Sequence, residues 1–125
     1  MLKTLLLIGS GGFLGSISRF LLSRIMQNHF PSSFPYGTFL VNLAGCFLIG
    51  LVYGISDRGA FLNPGWKMFL AVGFCGGFTT FSTFANENLA MLRDGDFYHF
   101  AIYTGLSIFL GIAATLAGVL VPKTI

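Results

Sequence analysis

The stretch from Gly73 to Phe84, with the sequence GFCGGFTTFSTF, combines residues that rarely continue a hydrophobic helix. It contains three glycines, four hydroxyl side chains and four phenylalanines. Glycine and hydroxyl residues form helices poorly, and in a bilayer every backbone group that leaves a helix needs a partner inside the protein. The stretch therefore predicts a broken helix beside a permeation path or a binding site. The alternative is a close helix crossing in which Gly73 and Gly77 form a small-residue face.

Three side chains, two of them inside this stretch, could line a path for an anion that has lost its water. Asn42 lies in the middle of another hydrophobic segment, with Thr38 one turn earlier, and its amide nitrogen would donate hydrogen bonds to such an anion. Phe81 and Phe84 share a helix face, and the edges of their rings carry partial positive charge. Each has an ordinary alternative: the amide could join two helices, and the rings could simply pack.

Further polar residues accompany these three. Ser82 and Thr83 place two hydroxyl groups between the rings. Tyr103 and Ser107 place two more on one face of the last hydrophobic segment, where they either line the same path or join helices. Arg19, near the end of the first segment, either reaches the membrane interface or gives a water-filled entrance a positive potential that concentrates anions.

Glu87 could be a proton-coupling acid, the partner of a basic residue, or an ordinary charge near the end of a span. Only the last two roles fit a simple anion path, and we favour them. His29 and His99 lie at or beside predicted turns, and no cysteine or serine has a recognisable base partner. We therefore expect no enzymatic activity.

The composition indicates which elements carry these residues. With 54% hydrophobic and only 9% charged residues, the chain is typical of a membrane protein. A crossing helix needs roughly 20 mainly apolar residues. We predict an all-α membrane protein with one domain over residues 1–125, and polar turns at about residues 28–35, 57–65 and 93–96. Its four spans cover about residues 2–26, 36–56, 66–93 and 97–121, and the third is broken near residues 76–79.

The distribution of basic residues leaves the orientation of the chain in the membrane open. The formal net charge of +3 is modest and does not indicate nucleic-acid binding. Four crossings put four basic residues on one side and three on the other, which is almost no bias. The chain either inserts both ways and forms an antiparallel dimer, or a single lysine near an end decides its orientation. The glycines in every span favour helix contacts beyond one subunit, and hence a homodimer.

Three segments together resemble one known family. They are GGFLGSISR, which ends at Arg19, then GTFLVNLAGCFLIG from Gly37 to Gly50, and GFCGGFTTFSTF from Gly73 to Phe84. Their order, together with the length of the chain and its four-span plan, is similar to the Fluc (CrcB-type) fluoride channels over essentially the whole sequence. We identify no departure from the family pattern at these positions.

The resemblance implies a multi-pass protein of the cell inner (plasma) membrane that works as a dual-topology homodimer, with two antiparallel subunits and two fluoride pores. It implies a central Na⁺ held at the dimer interface by backbone carbonyls at about Gly76 and Thr79. It also implies a fluoride pathway, with the assignment of the residues in the last span resting on a looser alignment. The pathway residues are Arg19, Thr38, Asn42, Phe81, Ser82, Thr83, Phe84, Tyr103 and Ser107.

The expected function is passive, fluoride-selective export that relieves fluoride toxicity. The main alternative is a small dual-topology, proton-coupled drug or cation exporter, which would need an acid embedded in the membrane. Glu87 is the one acid within a predicted span. A non-transporting assembly subunit would account for the glycines but would leave the polar stretch unexplained.

Overall fold

The computed structural model describes residues 1–30, 32, 34–58 and 63–124. Two predicted turns, at about residues 28–35 and 57–65, fall partly on residues 31, 33 and 59–62, which lie outside the described residues. The turn predicted at residues 93–96 follows a helix that ends at Arg93. There Gly95 adopts a φ of 74°, a left-handed conformation that glycine reaches without a steric cost.

The described residues form five helices and contain no strand. Four helical units are long and apolar enough to cross a membrane, which confirms the predicted all-α membrane architecture. The third unit is interrupted and therefore contributes two of the five helices. The helices are α1 (Leu2–His29), α2 (Tyr36–Asp57), α3 (residues 64–78), α4 (Phe81–Arg93) and α5 (Phe97–Thr124).

The predicted break in the third span is confirmed, at Thr79 and Thr80. Both residues have extended backbone angles, with φ and ψ of −90° and 156° at Thr79 and of −149° and 120° at Thr80. The Thr80 hydroxyl accepts a hydrogen bond from the Thr83 N–H at 3.2 Å and so caps the start of α4. The chain therefore leaves one helix and begins the next within two residues.

The helix before the break is itself irregular, which the sequence did not predict. After one α-helical turn, residues Met68–Cys75 adopt a π-helix, and Gly76–Phe78 return to α-helical geometry. Hydrogen bonds in a π-helix run between residues five apart, so the turn is wider than in an α-helix. Segments of this kind are rare and occur mostly near functional sites.

Glycines bring α1 and α3 into direct backbone contact. A methyl group added at Gly73 would lie 2.8 Å from the Ile8 carbonyl oxygen, and one at Gly77 would lie 2.6 Å from the Gly12 carbonyl oxygen. The close crossing that the sequence offered as an alternative to a broken helix is thus present as well. Both features occur in the same span, because the small-residue face holds α3 against α1 up to the point where it breaks.

Aromatic side chains form the apolar core between α2, α4 and α5. Tyr103 is fully buried in the subunit, and Phe34 and Met91 are nearly so. Phe84 packs partly buried against this cluster. By contrast, many large hydrophobic side chains elsewhere are exposed on the outer surface, among them Phe109 of α5 with an exposed fraction of 71%. Such a surface suits lipid or a second protein chain.

We expect Gly15→Ala to destabilise the protein. The added methyl would clash with the Phe74 carbonyl oxygen and would lie 3.0 Å from the Phe78 nitrogen, so α1 and α3 would have to separate. Overpacking of this kind costs about 1–3 kcal/mol. Thermal unfolding of the purified protein in detergent measures the effect. Gly9→Ala on the same helix is the control, because a methyl there meets nothing within 4 Å. Equal losses in both variants would contradict this account of the crossing.

Candidate functional site

Asn42 of α2 satisfies the backbone where the third span breaks. Its amide nitrogen donates to the Thr80 carbonyl at 3.1 Å, and its amide oxygen accepts from the Thr80 N–H at 2.9 Å. The side chain thus replaces the bonds that a continuous helix would have supplied to this residue. An amide carries two N–H groups, and Thr80 accepts only one of them. Asn42 therefore joins two helices and retains a second donor beside the break.

Arg19 of α1 is attached to the other side of the break. Its Nε donates to the Gly77 carbonyl at 3.1 Å, in the last turn of α3. A cation at this position interacts favourably with the negative end of the helix dipole. The sequence offered a membrane-interface role or an entrance role for this residue. The structure adds a third, in which the side chain helps to fix the end of α3.

Glu87 of α4 is held by two hydroxyl groups. The Thr38 hydroxyl donates to one carboxylate oxygen at 3.1 Å, and the Tyr103 hydroxyl donates to the other at 2.9 Å. From sequence we favoured a basic partner as one of two roles for Glu87, but among the described residues its carboxylate has no such partner. The interaction instead links α2, α4 and α5 through one buried polar cluster.

Two cavities of similar size lie on either side of this cluster. We call the first the arginine cavity; it has a volume of about 500 Å³, and Arg19, Thr38 and Glu87 lie in its wall. We call the second the break cavity; it has a volume of about 560 Å³, and Asn42 and Thr80 lie in its wall. The break cavity also contains Gly76, Thr79, Phe81, Phe84 and Ser107.

Phe84 separates the polar cluster from the break cavity. Its ring centre lies 5.0 Å from that of Tyr103 on one side and 5.8 Å from that of Phe81 on the other. Phe81 has an exposed fraction of 79% within one subunit, so the two predicted rings differ in burial. A column of rings, hydroxyls and one carboxylate therefore connects the two cavities across the subunit.

Most of the site residues predicted from sequence lie in this column or in the walls of the two cavities, but two stand apart. Ser82 and Thr83 line neither cavity, and their hydroxyl groups lie 3.3 Å and 3.1 Å from that of Thr80. Sequence reasoning missed Thr80 itself, which both caps α4 and pairs with Asn42. Threonine is among the residue types preferred at a helix N-cap, so its place just before the second half of the span was a usable signal.

A family model described as "CrcB-like protein, Camphor Resistance (CrcB)" matches residues 6–119. The chain belongs to the CrcB family. This confirms the resemblance seen in the three sequence motifs. The match covers all four spans, including the break and both cavities.

Several close relatives carry the name "Fluoride-specific ion channel FluC". The relative from Leptospira interrogans is 51% identical over 121 residues, which cover 97% of this chain and 95% of that protein. The relative from Gloeothece citriformis is 46% identical over 119 residues, or 95% and 96% of the two chains. The relative from Flavobacterium psychrophilum is 42% identical over 122 residues, or 98% of each. These names describe ion channels and agree with the expectation that the chain is not an enzyme.

We expect Asn42→Asp to weaken the helix break. The carboxylate keeps an acceptor for the Thr80 N–H, but it cannot donate to the Thr80 carbonyl and sets a negative charge beside it. Leaving a buried group unpaired costs about 1–3 kcal/mol. Unfolding in detergent should therefore show a lower midpoint.

The matched control is Asn86→Asp on α4, where the side chain is exposed. That variant should unfold at the parent midpoint. A parent-like midpoint for Asn42→Asp would mean that the pair with Thr80 contributes little to the break.

Proposed function

We propose that this chain is a passive, fluoride-selective channel whose path passes the break in the third span. The observation that carries the proposal is the break cavity, where Asn42, Phe81 and Phe84 converge at membrane depth. The names of the relatives support fluoride as the permeant ion. The chain is a multi-pass membrane protein, and in bacteria the corresponding membrane is the inner membrane.

The chemistry of the column suits a small, strongly hydrated anion. Conduction requires donors that replace lost water, yet no site may bind so tightly that the ion cannot leave. The second N–H of Asn42, the Ser107 hydroxyl and the ring edges of Phe81 and Phe84 are weak donors of this kind. No arginine or lysine lines the break cavity among the described residues, which removes the strongest trap for an anion.

The arrangement around Glu87 argues against the exporter alternative. A proton-coupled exporter needs an embedded acid that binds substrate and proton in turn. Here both carboxylate oxygens already accept hydrogen bonds, from Thr38 and Tyr103. Those donors would have to move before a substrate could bind.

An antiparallel homodimer is the assembly that best suits this subunit. The break cavity is open and lined by polar groups that lipid cannot satisfy, which favours cover by a second protein surface. Phe81, with most of its ring exposed, would become buried by such a partner. The near-equal split of basic residues across the membrane supports insertion in both directions.

The residues expected to hold Na⁺ fit such an ion chemically. Among the described residues, no side chain donates to the carbonyl oxygen of Gly76 or Thr79, and no backbone N–H outside the regular helical bonding does so. Backbone oxygens are hard ligands that suit hard cations, and at a two-fold axis carbonyl oxygens from both subunits would coordinate the ion.

We expect liposomes that contain the purified protein to release fluoride without proton exchange. Efflux, followed with a fluoride electrode, should start only when a potassium ionophore balances the charge that leaves, because the moving species is an anion. Chloride-loaded liposomes are the control for selectivity. Release that needs a proton gradient would favour the exporter instead.

In the same assay, Phe81→Ile should lower the flux per folded protein by about tenfold or more, equivalent to ~1.4 kcal/mol in the barrier. The swap removes the ring edge, and within one subunit it costs little packing because Phe81 is largely exposed there; Ile keeps most of the apolar bulk for a partner surface. Phe109→Ile is the matched control on the outer surface of α5. Parent-like flux in Phe81→Ile would remove this ring from the path.

We expect an experimental structure obtained in Na⁺ to contain two antiparallel copies with cation density on the two-fold axis beside Gly76 and Thr79. The reason is that only a second copy supplies enough carbonyl oxygens for a complete coordination shell. Copies that run parallel would contradict the dimer proposal. An antiparallel dimer without axial density would contradict only the cation proposal.

A further inference from the structure

The arginine cavity carries charges of both signs on facing walls. Helix α1 contributes Arg19 and Arg24, while α4 and the turn after it contribute Glu87, Asp94 and Asp96. Within the described part of the chain, neither arginine forms an ion pair with these carboxylates. The charges therefore stay apart across the cavity instead of cancelling in close pairs.

Two arginines in one cavity would by themselves form a binding site for oxyanions. The guanidinium group presents a planar fork of N–H donors that matches sulfate and phosphate oxygens. Arg19 is fixed by its bond to Gly77, while Arg24 is exposed and lies 6.0 Å from the centre of the Phe20 ring. An oxyanion bound between them would obstruct the path to the polar cluster at Glu87.

The two aspartates lie at the outer end of the same cavity, and the structure holds Asp96 in place. The His99 backbone N–H donates to one Asp96 oxygen at 3.2 Å, and the His99 ring nitrogen lies 2.7 Å from the other. These bonds hold the pKa of Asp96 below its usual range, and the bond from the backbone N–H has the largest effect. The carboxylate is therefore charged at neutral pH. Asp94 is exposed in the turn two residues earlier.

We propose that Asp94 and Asp96 exclude multivalent oxyanions from the arginine cavity while leaving it open to a monovalent ion. The effect depends on valence, because the electrostatic energy of an ion in a given potential is proportional to its charge. A change in potential that alters the local concentration of a monovalent anion by about threefold alters that of a divalent anion by about ninefold. The proposal rests on the proposed function, since it treats this cavity as the entrance to the fluoride path.

Sulfate is the probe, because it stays divalent over the working pH range. Fluoride efflux from liposomes is measured with sulfate on both sides and compared with chloride at the same ionic strength. In sulfate, the fluoride flux of the parent should fall by less than about twofold. In Asp94→Asn/Asp96→Asn the local sulfate concentration rises by about ninefold where that of fluoride rises by about threefold, so sulfate should lower the flux of this variant by at least about threefold relative to its own flux in chloride. Asparagine is also a good helix cap, so the His99 N–H keeps its acceptor.

Two variants separate this effect from a general change of surface charge. Asp57→Asn removes an acid at the end of α2 that does not line the cavity, so it should respond to sulfate as the parent does. Adding Arg24→Gln to the double variant should relieve the block by removing one side of the oxyanion site. If the double variant does not fold, Asp94→Asn alone serves as the test. It leaves the Asp96–His99 contact intact and should show a partial block by sulfate.

Calorimetry on the purified protein makes the test independent of conduction. Sulfate should bind to the double variant and not to the parent. If the parent conducts no fluoride, the proposed function fails, and the calorimetric result still tests the role of the aspartates. Equal sulfate binding by the parent and the double variant, or no sulfate block in the double variant, would overturn the proposal.

Discussion

Backbone groups in the interior of a bilayer have no water to bind, and this constraint governs the whole subunit. The third span leaves helical geometry at Thr79 and Thr80, so the freed groups need partners other than bulk water. Asn42 supplies two bonds to Thr80, and Arg19 supplies one to Gly77. The two residues approach from α2 and α1, so the break is fixed only when three spans are correctly packed.

The glycines allow that packing. Without side chains at Gly73 and Gly77, the backbone of α1 comes close enough for the Arg19 side chain to reach the end of α3. On the other side of the break, Glu87 draws Thr38 and Tyr103 together and so sets the position of α4. Polar residues that look like path residues in the sequence therefore also determine the geometry of the break.

The sequence predicted those features that follow from local composition, such as the helix break. The run of glycine and threonine residues predicted a break near residues 76–79, and the structure has it at Thr79 and Thr80. The pairing of Asn42 with Thr80 could not be predicted in this way. The two residues lie 38 positions apart, and the sequence of one helix does not indicate which distant residue its amide contacts. The hydroxyl partners of Glu87 depend in the same way on three helices. The π-helical turns of Met68–Cys75 have no local signal, since their residues are uniformly apolar.

The π-helical segment also affects how the chain tolerates changes in length. A turn closed between residues five apart contains one residue more than an α-helical turn. Loss of a residue within 68–75 could be absorbed locally, by a return to α-helical hydrogen bonding, without moving Thr80 away from Asn42. A deletion in α4 has no such reserve and would rotate every later side chain about the helix axis. Among related sequences, single-residue gaps inside the membrane should therefore collect before the break and not after it.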